Sequence, residues 1–159
     1  MTRAAALLVG AGIACAVAGA ASPAPDRANR SRFTCMATPV RGLYVHARPF
    51  TGAISPDYDV VNGRFRLHVG PWRDRSIGLT QKIPWFLPGK YRVGAFLFIR
   101  GKRLSPAGGS FTWRLPEAGS LDPRQHVFPS TPSPPKPGCW RFSFQTGLVQ
   151  GRLFVRVTR

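Results

Sequence analysis

Gly138-Cys139-Trp140-Arg141-Phe142-Ser143-Phe144, followed by Gly151-Arg152-Leu153-Phe154-Val155-Arg156-Val157, decides the fold class of this chain. Apolar and polar residues alternate with period two in both runs, and Thr146-Gly147 between them has turn chemistry. Successive side chains of a strand point to opposite faces, so each run buries one face and wets the other. Two such runs joined by a short glycine-bearing turn form a β-hairpin.

The pattern repeats upstream. Further strands are expected at 42–47, 64–69, 77–83, 91–100, 110–115 and 125–128, which makes seven or eight with the hairpin. Asn62-Gly63, Gly70-Pro71, Pro88-Gly89 and Gly101-Lys102 read as turns, and Pro84, Pro116 and Pro129 as strand ends. The 91–100 run is almost continuously apolar, as in a central strand covered on both faces. The chain holds 17 glycines and 16 prolines in 159 residues, which opposes long helices. Short strands with turns every ten residues or so give an all-β, antiparallel two-sheet sandwich. The alternation selects Phe65, Leu67, Val69, Leu79, Phe96, Phe98, Phe111, Trp113, Trp140, Phe142, Phe144, Leu153, Val155 and Val157 as core. Residues 129–138 include five prolines and read as an exposed, stiff connection of polyproline type.

The N-terminus reads as a targeting segment. Arg3 precedes an apolar stretch from Ala4 to Val17, and Ala16-Val17-Ala18 and Ala18-Gly19-Ala20 are small-x-small sites. A secretory signal peptide over 1–20, cleaved near Ala20, is expected, since the run is short for a spanning helix. Cys15 allows a second reading as a lipidated residue, although Gly12 fits a lipoprotein signal poorly. Residues 21–34 form a Pro-, Ala- and Arg-bearing leader with little to pack, and 35–159 a single domain. An exported location follows, either secreted or in the periplasm and envelope.

Export leaves Cys35 and Cys139, and an even pair in an oxidising compartment reads as a disulfide. A catalytic thiol would need an adjacent base. Cys139 falls on the face opposite Trp140, so the bridge should pin the N-terminal segment beside a sheet.

The formal net charge is +17, from 23 basic and six acidic residues, and nineteen of the basic ones are arginine. Such a balance attracts polyanions, while a GC-rich codon bias would raise Arg, Ala, Gly and Pro together. The charge is dispersed along the chain, which argues against specific nucleic-acid recognition. Arg64, Arg66 and His68 share one strand face; Arg141 with Ser143 and Gln145 share a second; Arg152, Phe154 and Arg156 share a third. If these strands share a sheet, one outer face is a candidate anion-binding surface.

Chemistry finds little support in the residues. Asp57-Tyr58-Asp59 could hold a cation or act as paired carboxylates, but acids on a Pro-led turn are ordinary turn residues. His46, His68 and His126 lack zinc-ligand spacing, and no nucleophile-elbow, P-loop or dinucleotide fingerprint occurs. No cofactor, no metal and no enzymatic activity are expected.

From Cys35 onward the chain resembles a set of uncharacterised secreted bacterial proteins with immunoglobulin-like β-sandwiches. The resemblance rests on Cys35-Met36-Ala37-Thr38, Asn62-Gly63, Lys82-Ile83-Pro84-Trp85, Gly101-Lys102-Arg103-Leu104, Phe128-Pro129 and Pro137-Gly138-Cys139-Trp140, with a Val-x-Val ending. It implies fold and export, and no activity. The Pro-rich spacer before Cys139 and the arginine content depart from that pattern. The function expected is an exported binding or structural module of the envelope or extracellular space. Its partner would be an anionic wall polymer, a lipid surface or another envelope protein. The alternatives are a secreted inhibitor or accessory domain presenting the 129–138 segment to a protein, or a divergent hydrolase.

Overall fold

The computed structural model describes residues 35–55, 59–70, 81–120 and 122–159. The expected signal peptide, Cys15 and the leader lie outside these residues, as do Asp57, Leu79 and most of the 77–83 strand.

Among the described residues eleven strands build two sheets. One contains β1 (Val40–Arg41), β2 (Tyr44–Ala47), β3 (Phe50–Ala53), β6 (Ile83–Pro88) and β9 (Gln125–Ser130), in the order β1-β2-β3-β6-β9. The other runs β4 (Val60–Val61), β5 (Arg64–His68), β11 (Val149–Thr158), β10 (Gly138–Thr146), β7 (Phe96–Ser105), β8 (Ser110–Pro116). The fold is an all-β sandwich, as the alternation requires. It holds more strands than the seven or eight expected, because the chain doubles back in short pieces before β5. It is also mixed: β5 lies parallel to β11, pairing Arg66 with Arg156 and Leu67 with Val157.

The terminal hairpin forms as read. Trp140 opposes Val155 and Phe142 opposes Leu153, all buried, while Arg141 opposes Phe154 and Ser143 opposes Arg152 on the outer face. Asn62 and Gly63 take φ of 51° and 67° between β4 and β5, the left-handed pair a two-residue hairpin turn demands.

The two inner faces meet in a core that includes Phe50, Phe65, Trp85, Phe128, Trp140, Phe142 and Phe144. Trp85 of one sheet meets Phe144 of the other edge-on at 4.6 Å between centroids. Its indole N–H donates to Ser130 Oγ at 3.0 Å, and that hydroxyl donates to the Ile83 carbonyl at 2.7 Å. Trp140 likewise donates to the Lys136 carbonyl at 3.0 Å. Both buried indoles therefore keep a hydrogen bond in a dry interior.

Several expectations are corrected. Pro84 does not end a strand: β6 begins at Ile83 and continues through it. The β3–β6 ladder stops at Trp85, so Pro84 withdraws no N–H from it. Pro129 lies opposite Pro84 on the edge strand β9, where a missing donor is tolerated. Gly101-Lys102 is not a turn either but part of β7.

In β7 the buried residues are Leu97, Ile99 and Gly101, while Phe96 and Phe98 lie half-buried on the outer face. β7 is central within its sheet, yet only one of its faces meets the opposing sheet. Phe96 is covered instead by the Arg114 guanidinium, 3.5 Å from its ring centroid. Val69, Phe111 and Trp113 are partly buried and pack against the core.

The 129–138 segment is not an exposed spacer. Pro132 and Pro134 are buried, the Pro134 carbonyl accepts from the Gly70 N–H, and Lys136 holds Trp140.

Cys35 and Cys139 are bonded, with Cα atoms 5.4 Å apart. The segment they anchor is woven into the six-stranded sheet. Thr38 donates its N–H to the Phe154 carbonyl and accepts the Phe154 N–H on its hydroxyl, both at 2.8 Å. The Thr38 carbonyl then takes the Phe65 N–H. The bridge thus ties the start of the domain to β10 beside the sheet.

Gly151 sets how closely the sheets approach at one end. A Cβ there would lie 2.0 Å from the Ala47 carbonyl oxygen, which is backbone and cannot rotate away. Gly151→Ala should destabilise by about 1–3 kcal/mol through overpacking. A urea midpoint equal to that of the parent would contradict this packing.

Candidate anion-binding face

The outer face of the six-stranded sheet is built by the same alternation that fills the core. In β5, β11, β10 and β7 the residues between the buried positions are mainly Arg, Lys, Ser and Gln. Strand register then decides which of them meet. Arg141 of β10 lies between Phe154 of β11 and Lys102 of β7. Ser143 lies between Arg152 and Arg100, and Gln145 between Gln150 and Phe98. Arg100 faces Thr112 of β8, Lys102 faces Ser110, and Phe98 faces Arg114.

Two concavities lie on this face and share Arg100 and Ser143. One, of about 780 Å³, is lined by His46, Arg48, Arg100, Ser143, Gln145, Gln150 and Arg152, with Phe144 and Gly151. The other, of about 600 Å³, is bordered by Arg100, Lys102, Arg103, Ser110, Thr112, Arg141 and Ser143. His46 and Arg48 come from β2 and the β2–β3 turn of the opposite sheet, which Gly151 allows to abut β11. A third hollow of about 330 Å³ shares His46 and Arg48 and adds Arg41. Together they form a trough lined mainly by basic side chains, hydroxyls and amides, with Phe111 at the smaller hollow and no carboxylate among the described lining residues.

The carboxylates that are described lie elsewhere. Glu117 pairs with His126 at 2.6 Å, and Asp122 with Arg124 at 3.1 Å. Asp59 is buried; it accepts the Ser55 N–H at 2.8 Å and the Gln81 amide, whose oxygen accepts the His68 N–H at 3.3 Å. Burial pushes the Asp59 carboxyl above its ordinary range, against the opposing pull of Gln81, Ser55 and nearby Arg66. Asp59 is thus a fastening for the chain before β4 rather than a member of an exposed acidic pair.

The sequence-selected residues divide into two groups. Arg141 and Arg152 border the trough. Arg156 is exposed on the same face, opposite Cys139 and Arg66. Arg64 instead donates to the Ala37 carbonyl at 2.8 Å and holds the N-terminal segment. Arg66 sits beside Asp59, and His68 gives its backbone N–H to Gln81. The β5 residues therefore serve the fold more than the trough.

Sequence reasoning missed Arg48, Arg100 and Lys102. Arg48 arrives from the other sheet, which no local pattern announces. Arg100 and Lys102 alternate around Gly101, and extending the 91–100 strand through that glycine would have found them.

Lys102 and Arg141 stand directly opposite each other, an arrangement that costs a sheet about 0.2–1 kcal/mol without a counter-ion. Arg141 is half-buried, and its Nε is buried with no hydrogen-bond partner among the described residues. The face thus presents cationic donors that the described protein does not neutralise. His126 has both ring nitrogens engaged, by Glu117 and by the Tyr91 carbonyl at 3.0 Å, and His46 contacts the Thr51 hydroxyl at 3.1 Å. Among the described residues no group of three or more His, Cys, Asp or Glu gathers as for a metal. No family model, curated protein or solved structure matches the chain.

Proposed function

We propose that this chain is an exported, non-enzymatic binding module that holds an anionic polymer in the basic trough of its six-stranded sheet. The observation that carries this reading is the direct opposition of Lys102 and Arg141, next to Arg100 and Arg152, with no carboxylate among the described residues that line the trough. A sheet that sets like charges side by side loses stability on its own account, and an anionic partner returns it. Buried Pro132 and Pro134 weigh against presenting the 129–138 segment to a partner protein.

Lys102→Ser with Arg141→Ser should weaken binding to a soluble polyanion by at least about tenfold at low salt, since charged contacts contribute about 1.5–3 kcal/mol each. The melting temperature should stay level or rise, because two opposed like charges are relieved. Isothermal calorimetry with the parent and the variant checks both halves. Unchanged affinity would remove the trough from the account.

A further inference from the structure

We infer that the larger concavity is a subsite for an acidic sugar unit, so that the polymer held by the trough is an anionic polysaccharide. This deepens the polyanion reading above and rests on it. The inference comes from the neutral groups set among the cations.

Ser143 is opposite Arg152 on one side and Arg100 on the other. Two strand spacings separate these guanidinium-bearing residues, about 10 Å. A hydroxyl floor lies between them. In the next register step Gln145 faces Gln150, so two carboxamides lie side by side at the rim. Arg48 comes from the β2–β3 turn to border the same hollow. Its volume of about 780 Å³ falls within the range of small-molecule sites.

The chemistry of that lining is selective. Guanidinium groups match a carboxylate bidentately. Carboxamides and a serine hydroxyl both donate and accept, which suits the hydroxyls of a sugar ring. A bare polyphosphate offers acceptors only and leaves the amide oxygens idle. Single-stranded nucleic acid calls for exposed aromatic platforms, and Phe144, the phenylalanine among the described residues around this hollow, is 1% exposed with its ring packed on Trp85 in the core. A lipid surface calls for apolar side chains that insert, and the hollow is lined by polar ones.

The test uses the full chain with four probes: polygalacturonate, inorganic polyphosphate of similar charge, oligothymidylate and phosphatidylglycerol vesicles. The parent should bind polygalacturonate tightest at equal charge concentration. Gln145→Ala with Gln150→Ala should weaken polygalacturonate binding by about tenfold while changing polyphosphate binding less than about twofold, as expected for lost neutral hydrogen bonds. Arg114→Ser, on the same face but outside the hollow, should change polygalacturonate binding less than about threefold. Overlaid circular dichroism melts will show that the glutamine variant folds. If all four probes bind alike and the glutamine variant binds as the parent does, the sugar subsite is wrong and the polyanion reading stands. Preference for oligothymidylate or vesicles over polygalacturonate also overturns the subsite. If no probe binds, both readings fall.

Discussion

Replacing Cys35 and Cys139 together by serine should lower the unfolding free energy by roughly 4–5 kcal/mol. The bridge spans 104 residues, and the chain-entropy model gives about that value for a loop near this length. The loss falls on the unfolded side, because an open chain has more conformations to surrender on folding. Without the bridge the native segment is held by the hydrogen bonds of Thr38 with Phe154 and Phe65, by the Arg64 bond to the Ala37 carbonyl and by the burial of Ala37. Guanidinium unfolding of the parent and the serine variant, followed by tryptophan fluorescence, measures the difference. A change below about 1 kcal/mol would mean that the N-terminal segment is held by those hydrogen bonds and not by the bridge.

Trp85→Ala should cost about 3–5 kcal/mol, the usual range for truncating a buried large aromatic residue. The indole is 1% exposed and touches Phe144 across the sandwich. Its removal also leaves Ser130 Oγ without the indole donor, though the hydroxyl keeps the Ile83 carbonyl. Gly52 is shaped to this ring: a Cβ there would lie 2.6 Å from Trp85 Cζ3. Thermal unfolding by calorimetry should show a fall in melting temperature of roughly 9 °C or more, at about 3–5 °C per kcal/mol for a domain between the small and the mid-sized range. A variant melting within 3 °C of the parent would contradict the placement of Trp85 between the sheets.

Much of the architecture was legible where period and punctuation agree. The β10–β11 hairpin alternates over its whole length, so Trp140, Phe142, Phe144, Leu153, Val155 and Val157 could be assigned to the core, and they are buried. β7 was not legible in the same way. A continuous apolar run carries no phase, so nothing in Ala95-Phe96-Leu97-Phe98-Ile99 says which alternate residues face inward. The tertiary setting decided it, with Leu97 and Ile99 facing the other sheet and Arg114 covering Phe96. β6 was hidden behind Pro84, whose effect depends on the strand that lies beside it, which is a non-local fact.

The candidate site was half visible for the same reasons. Arg141 and Arg152 stand on the polar phase of a clear hairpin. Arg48 reaches the trough only because the two sheets close at Gly151, and Lys102 only because β7 docks against β10 in one particular register. Arg64 looked equivalent to the others in the sequence, but its guanidinium also donates to the Ala37 carbonyl. Strand alternation can say that a side chain faces water; it cannot say whether a loop from elsewhere will claim it.

The salt dependence of polygalacturonate binding reads out whether the trough cations meet the polymer. The parent and a variant carrying Arg100→Ser, Lys102→Ser, Arg141→Ser and Arg152→Ser are titrated between about 50 and 200 mM sodium chloride, where counter-ion release dominates polyanion affinity. The parent should show a steep fall in log affinity against log salt. The variant should show a slope shallower by at least about two, since each cation removed takes roughly 0.7–0.9 from it. Equal slopes for the two proteins would mean that the trough cations do not meet the polymer, and the account of this face would be wrong.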